Sequence, residues 1–262
     1  MLPRVVAALL ELRGYQNLFR NFLVRDLSVR YKGSLLGVFW SLLNPLLMLG
    51  IYTLVFSVFI RFPGENYPIY FMSGFLPWFF FSSALGMGAG TLVANGALIQ
   101  KVWFPRALLP LSQTAANLVN LVIAFGVFLP FAIATGDVSV RGLVALVVVT
   151  AALFLFTAGL VVLTSVLMVD FRDTEFLVGI ALQAWFFLTP IVYTLTDAPE
   201  NARRWLRLNP LYPFVESYRD VFYRGSVPSA ERLGACVAIG VVAFAACYAV
   251  FTRLEGGVAE EL

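Results

Sequence analysis

The 262-residue chain contains no histidine, and only two lysines and two cysteines. Without histidine, catalytic triads, zinc sites and proton relays built on imidazole are excluded. Lys32 is followed by glycine and Lys101 is preceded by glutamine, so neither can sit in the Gly-Lys-Ser/Thr loop that cradles nucleotide phosphates. Cys236 and Cys247 fall eleven positions apart in one apolar run. On a helix that separation is roughly 16 Å, too far for a disulfide within the chain. Charge is scarce as well: 13% of residues are Asp, Glu, Lys or Arg, against 60% hydrophobic, whereas a soluble domain carries about 25% charge. The mean hydropathy of +0.86 points the same way.

In place of charge there are six long runs free of Asp, Glu, Lys and Arg. They lie between Gly33 and Arg61, Glu65 and Lys101, Arg106 and Asp137, Arg141 and Asp170, Glu175 and Asp197, and Arg232 and Arg253. Each offers about the 20 apolar residues that a helix needs to cross roughly 30 Å of hydrocarbon. The expected fold is an all-α integral membrane protein with six transmembrane helices in a single domain. Residues 1–34 form a cytoplasmic flank, 35–254 the membrane region and 255–262 a cytoplasmic tail. The N-terminal residues are broken by charge throughout and carry no sustained apolar core of a cleavable signal. No run holds an ionisable residue at its centre, where an ion-coupled carrier keeps its site. Energy for uphill movement must then arrive from another protein.

The segment before the first run holds Arg4, Arg13, Arg20, Arg25, Arg30 and Lys32 against Glu11 and Asp26, which places it in the cytoplasm. Six crossings return the C-terminus to the same side. The loop before the last run carries Arg203, Arg204, Arg207, Arg219, Arg224 and Arg232 and votes against this orientation. These arginines are interleaved with Glu200, Glu216, Asp220 and Glu231.

Three interruptions carry more detail. Tyr15, Leu18, Phe19, Phe22 and Leu23 recur at helical spacing, which fits either an amphipathic helix in the cytoplasmic interface or a charged flank anchoring the first span. The stretch NGALIQKVWFPRALLPLS has two prolines that forbid one unbroken helix. It reads as a short cytoplasmic helix offering Lys101 and Arg106, with Val102, Trp103 and Phe104 either as an apolar anchor for a partner's pocket or as belt residues. Within the fifth run, Pro190 is placed to break the outer end of the helix. After Pro213, Phe214, Val215, Tyr218, Val221 and Phe222 share one helical face while Glu216, Arg219, Asp220 and Arg224 share the other. Asp220 and Arg224 stand at the favourable i, i+4 spacing. That segment is expected to lie against or dip into the outer leaflet. The acidic residues Asp170, Asp173 and Glu175 fit carboxylates flanking a span that meet an arginine on a partner. The other reading is a divalent-cation site in a membrane enzyme acting on polyprenyl phosphates.

RDLSVRYKGSLLGVFWSLLNPLLMLGIYTLVFSVF, YPIYFMSGFLPWFFFSSAL, VWFPRALLPLS, the Phe171–Asp173 FRD, QAWFFLTPIVYT and LNPLYPFVESYRDVFYRG occur in this order over nearly the whole chain. Together they resemble the permease subunit of bacterial ABC transporters that export lipid-linked polysaccharide. The nearest likeness is the branch serving O-antigens and wall teichoic acids; a small-molecule or lipid exporter of the same type is the alternative. The resemblance implies an N-terminal interface helix, a coupling helix between spans two and three, and re-entrant gate helices between five and six. It also implies a pore formed with a second copy of the chain, and two copies of a separate ATPase subunit that binds ATP and Mg. No cofactor, metal or nucleic acid is implied for this chain, and no catalytic residue.

Carried onto matching positions, Gln100, Lys101, Val102, Trp103, Phe104, Pro105 and Arg106 form the ATPase-coupling helix. Arg25, Asp26, Arg30, Tyr31 and Lys32 stand at the cytoplasmic interface, where the pyrophosphate of a polyprenyl-linked glycan would be held beside membrane lipid. Pro210, Tyr212, Pro213, Phe214, Glu216, Tyr218 and Arg219 form the outer gate. Because flat rings stack on the C–H faces of sugars, Tyr52, Phe56, Phe59, Trp78, Phe79, Trp185 and Tyr193 are candidates for lining the conduit; each is equally suited to lipid or belt contact.

Overall fold

The computed structural model describes residues 14–31, 37–55, 66–135, 138, 140–196 and 198–261. Among them every regular element is helical. Lys32, Phe56 and Phe59 lie outside the described residues, as do Arg4, Arg13 and Asp197.

Helix α1 (Gln16–Tyr31) precedes a short 3-10 turn and α2 (Trp40–Leu54). Then follow α3 (Tyr67–Gly88), the short α4 (Thr91–Ala94) and α5 (Gly96–Lys101), and α6 (Leu108–Thr135). Next come α7 (Val140–Asp170), α8 (Thr174–Leu188), α9 (Glu200–Arg207), α10 (Tyr212–Phe222), α11 (Ala230–Leu254) and the terminal turn α12 (Val258–Glu261). Four of these, α3, α6, α7 and α11, are long and apolar enough to cross a membrane. The first and fifth charge-free runs give helices of 15 residues each, α2 and α8, so the described helices do not by themselves make up six full crossings. In the fifth run the cause is local. Pro190 has no N–H to continue the ladder, and Thr189 turns extended, its hydroxyl donating to the Trp185 carbonyl at 2.9 Å.

The contacts define two ends of one bundle. Met168 near the end of α7 approaches Gly90 between α3 and α4, while Thr150 in the other half of α7 bonds the Tyr218 hydroxyl of α10 at 2.7 Å. Helices α7 and α11 run parallel and touch backbone to backbone. A Cβ on Gly240 would stand 2.4 Å from the Ala152 carbonyl oxygen, and one on Gly159 would stand 2.8 Å from Phe244 Cα. Only glycine permits that approach.

The core divides accordingly. One cluster gathers Phe71, Phe81, Leu153, Phe156, Phe214 and Tyr218 around the mid-bundle and α10; the other gathers Phe22, Phe104, Leu108, Val166, Tyr248 and Phe251 at the opposite end. Helix α1 and the C-terminal turn thus sit at the same end. Part of the apolar stripe of α1 packs against protein: Phe22 is buried, with its ring 5.7 Å from that of Phe104, and α1 packs along α6, while Tyr15, Leu18, Phe19 and Leu23 are half-buried.

Candidate functional site

At one end, α5 stops at Lys101 and Val102 adopts an extended conformation. The proline at 105 disfavours helix at the residue before it. The helix expected over Gln100–Arg106 therefore sits earlier, at Gly96–Lys101, followed by an extended segment. That geometry splits the apolar trio. Trp103 is 78% exposed and Val102 53%, whereas Phe104 is 5% exposed and packs inward. Gln100 and Lys101 are exposed beside Trp103, while Pro105 and Arg106 are half-buried. The outward surface is Lys101, Val102 and Trp103; Phe104 is the anchor that holds it to the bundle.

Two polar ties brace this end. Arg25 pairs with Asp26 at 3.0 Å and donates from Nη1 to Asn95 Oδ1 at 3.0 Å; Ser112 Oγ donates to Asp26 Oδ2 at 3.3 Å. They stitch α1 to the α4–α5 junction and to α6. The Arg25 guanidinium also lies 5.0 Å from the Phe22 ring centroid. Arg30 and Tyr31 stand in the last turn of α1. Arg106 Nη1 donates to the backbone carbonyl of Glu255, just past the end of α11. A groove of about 230 Å³ lined by Trp103, Phe104, Arg106, Tyr248 and Glu255 opens beside it.

At the other end lies α10. Its apolar face behaves as the periodicity implies, with Phe214, Val215, Tyr218, Val221 and Phe222 all buried. Three residues of its polar face are turned inward, Glu216 at 7%, Arg219 at 1% and Asp220 at 6% exposed, while Arg224 just past the helix end stays exposed. Burial of so much charge is tolerable only when the partners close on one another, and they do. Arg219 Nη1 donates to Glu216 Oε1 at 3.0 Å and Nη2 donates to the Ile191 carbonyl at 2.9 Å, with Cζ 3.9 Å from the Tyr70 ring centroid.

Arg224 bridges both acids, to Asp220 at 2.6 Å and to Glu216 at 2.8 Å, and Arg232 of α11 donates to the second Asp220 oxygen. Burial pushes the Glu216 carboxyl up, but the Arg219 and Arg224 guanidiniums outweigh it and hold the group below the usual carboxylate range. Tyr212, Pro210 and Pro213 are half-buried around this core.

The segment entering α10 is held by Asn209, a residue that periodicity does not single out. Its Oδ1 accepts from Trp185 Nε1 at 2.9 Å and from the Leu211 N–H at 2.9 Å; its Nδ2 donates to the Leu188 carbonyl and to Thr189 Oγ1. The only trace in the sequence is an Asn-Pro pair after the Arg-rich α9. Trp185 is thereby committed to the fold, T-stacked on Phe81 at 5.2 Å. Trp78 is buried against Phe81 and Phe186, and Phe79 stacks on Phe75. Tyr193 donates to the Phe187 carbonyl, and its own carbonyl accepts from Tyr70 at 2.7 Å. Tyr52 lies on α2. The faces left open on α8 are aliphatic and Phe: Phe176, Leu177, Ile180, Phe187 and Leu188 are each more than half exposed.

Asp170, Asp173 and Glu175 do not converge: among the described residues no three His, Cys, Asp or Glu side chains come together as a metal-binding group. Residues 17–223 match the family described as ABC-2 type transporter. The chain is 35% identical to an O-antigen export system permease protein of Myxococcus xanthus, over 96% of this chain and 98% of the relative. It is 30% identical to an O-antigen export system permease protein of Klebsiella pneumoniae, over 91% and 92%. A polysialic acid transport protein of Escherichia coli is 24% identical over 80% of this chain and 83% of the relative.

Proposed function

The chain belongs to the ABC-2 type transporter family, and from that premise we propose that it is the membrane subunit of an exporter for lipid-linked polysaccharide. Two copies form the conduit in the cytoplasmic (inner) membrane, each crossing six times, with α2 and α8 contributing the crossings beyond the four long helices and both termini in the cytoplasm. Two copies of a separate ATPase subunit bind ATP and Mg and seat on Lys101, Val102 and Trp103. The chain itself performs no hydrolysis, carries no cofactor and binds no nucleic acid.

The observation that supports this reading best is the polarity of the bundle. An apolar, exposed Trp103 stands at one end on a braced segment, and a short helix, α10, is held shut by buried ion pairs at the other. A coupling surface and a gate at opposite ends are what an externally powered conduit requires. α10 and α9 are the gate helices; neither, at 11 and 8 residues, is long enough to span a bilayer.

The substrate class follows the relatives, whose names specify O-antigen and polysialic acid: an O-antigen or teichoic-acid-like glycan on polyprenyl pyrophosphate. Its charged head meets the basic residues of α1 and the segment after it, Arg30 and Lys32 above all, since Arg25 is already engaged with Asp26 and Asn95. Open apolar faces such as that of α8 are available to the second copy or to lipid.

The test is affinity purification in mild detergent, mass spectrometry of the co-purifying subunits, and ATP hydrolysis with and without lipid-linked glycan. A stoichiometric ATPase stimulated by the glycan is expected. An ATPase indifferent to glycan would replace the substrate class with a small molecule or lipid. A chain that purifies alone and turns over polyprenyl phosphate with a divalent ion would overturn the transport reading.

A further inference from the structure

We propose that α7 and α11 act as one rigid element that carries displacement of the 102–106 segment to the gate helix α10, with Arg106 and Arg232 as the positioning residues at its two ends. This rests on the transport reading above and deepens it.

A displacement can travel the length of the bundle only along an element that does not bend. Helix α3 joins the two ends covalently, but Pro77 interrupts its hydrogen-bond ladder; α6 carries Pro130 in the same way. Proline inside a helix removes a bond and kinks or softens it. Helix α8 has no proline but only 15 residues. α7 and α11 are the remaining pair, of 31 and 25 residues with no proline in either. The Ala152–Gly240 and Gly159–Phe244 approaches press their backbones together at two levels. No side chain lies between the backbones at those levels to absorb a shift, so the pair moves as a unit about 38 Å long.

The pair is gripped at both ends. At the coupling end, Arg106 holds the carbonyl of Glu255, and Phe104 packs in the cluster that contains Tyr248, Phe251 and Val166. At the gate end, three separate contacts take hold of α10. Thr150 of α7 bonds the Tyr218 hydroxyl at 2.7 Å, Cys236 of α11 lies 3.7 Å from Ser217 Oγ, and Arg232 of α11 bonds Asp220. Asp220 is in turn tied to Arg224 and so to Glu216 and Arg219. A pull on the pair is therefore delivered to the buried charges of the gate. Shared intermediacy alone would not establish coupling, so the measurement must read the far end when only the near end is changed.

The experiment is hydrogen exchange of peptides covering 212–222 in the complex of this chain with its ATPase, in lipid nanodiscs, with and without Mg-ATP and vanadate. In the wild-type complex, trapping is expected to change α10 exchange by about fivefold or more. Arg106→Ala leaves every α10 contact intact, yet is expected to abolish that change; Arg106→Lys, which retains a donor, restores part of it. If Arg106→Ala loses the ATPase, Arg232→Gln decides. It should keep the ATP-dependent change in peptides covering 248–254 and lose it in α10. Wild-type responses in α10 for both Arg106→Ala and Arg232→Gln overturn the linkage and leave the transport reading standing. No ATP-dependent change in the wild-type complex overturns both.

Discussion

The Arg219 guanidinium sits over the Tyr70 ring, its Cζ 3.9 Å from the centroid, and so fastens helix α10 to α3. The same side chain is 1% exposed and closes on Glu216 and the Ile191 carbonyl. Removing it strands half of a buried pair. Arg219→Met is expected to lower stability by about 3–5 kcal/mol, the usual cost of breaking a buried ion pair from one side. Arg219→Lys should fall in between, because an ammonium cannot both fork to two acceptors and stack. Thermal unfolding in detergent reads the effect. A loss below about 1 kcal/mol for Arg219→Met would mean that the network is not what holds α10.

Trp103 and Phe104 are neighbours with opposite duties. Trp103→Ala, at a side chain 78% exposed, should leave the melting temperature of the isolated chain unchanged and abolish co-purification of the ATPase. Phe104→Ala removes a ring packed 5.7 Å from Phe22 and should cost about 3–5 kcal/mol, with loss of the ATPase following from a misplaced segment. If Trp103→Ala keeps the ATPase bound and coupled, the contact surface lies elsewhere on this end.

This pair also shows where the sequence was legible and where it was not. Long charge-free runs disclose α3, α6, α7 and α11 because a helix satisfies the backbone groups of a single segment within that segment, as lipid requires. In the fifth run the break is legible from Pro190, and α8 does end at Leu188 with Thr189 extended; what the run does not disclose is that its helix has only 15 residues. Val102, Trp103 and Phe104 read as one apolar trio, but the helix stops at Lys101 before them, and only Phe104 meets the cluster behind it while Val102 and Trp103 stay exposed.

The polar face of α10 reads as an exposed face because periodicity records amphipathicity and not the partners. Ile191, Tyr70 and Arg232, which make its burial possible, lie on other elements. Asn209 carries no periodic signal, and the Arg106 contact uses a backbone carbonyl, which leaves no mark on residue identity at all.

Two glycines of α11 should answer alanine with opposite signs. At Gly240 the new Cβ would meet the Ala152 carbonyl oxygen at 2.4 Å, backbone against backbone, with no flexible atom to yield. Gly240→Ala is expected to cost about 1–3 kcal/mol by overpacking and to separate α7 from α11. At Gly234 nothing stands within 4 Å of the new methyl, so Gly234→Ala should stabilise by up to about 1 kcal/mol through helix propensity. Equal responses at the two sites would remove the argument for a tightly apposed pair.

Glu216 sets the response to acid. Burial raises its carboxyl, Arg219 and Arg224 more than reverse that, and the folded-state value lies below the ordinary one, which is about 4.3. A group depressed in the folded state contributes stability that is fully present above the unfolded value and is lost as pH falls through the folded value. The loss therefore begins near pH 4 and grows below it.

Glu216→Gln keeps the shape and removes the charge. At pH 7 it should unfold at a lower temperature than the wild type, because Arg219 and Arg224 lose an anionic partner. As pH falls below 4 the wild-type carboxyl becomes neutral and the two proteins should converge, so the variant has the flatter profile. Parallel profiles from pH 7 to pH 3 would show that the Glu216 charge contributes nothing to holding α10 in place.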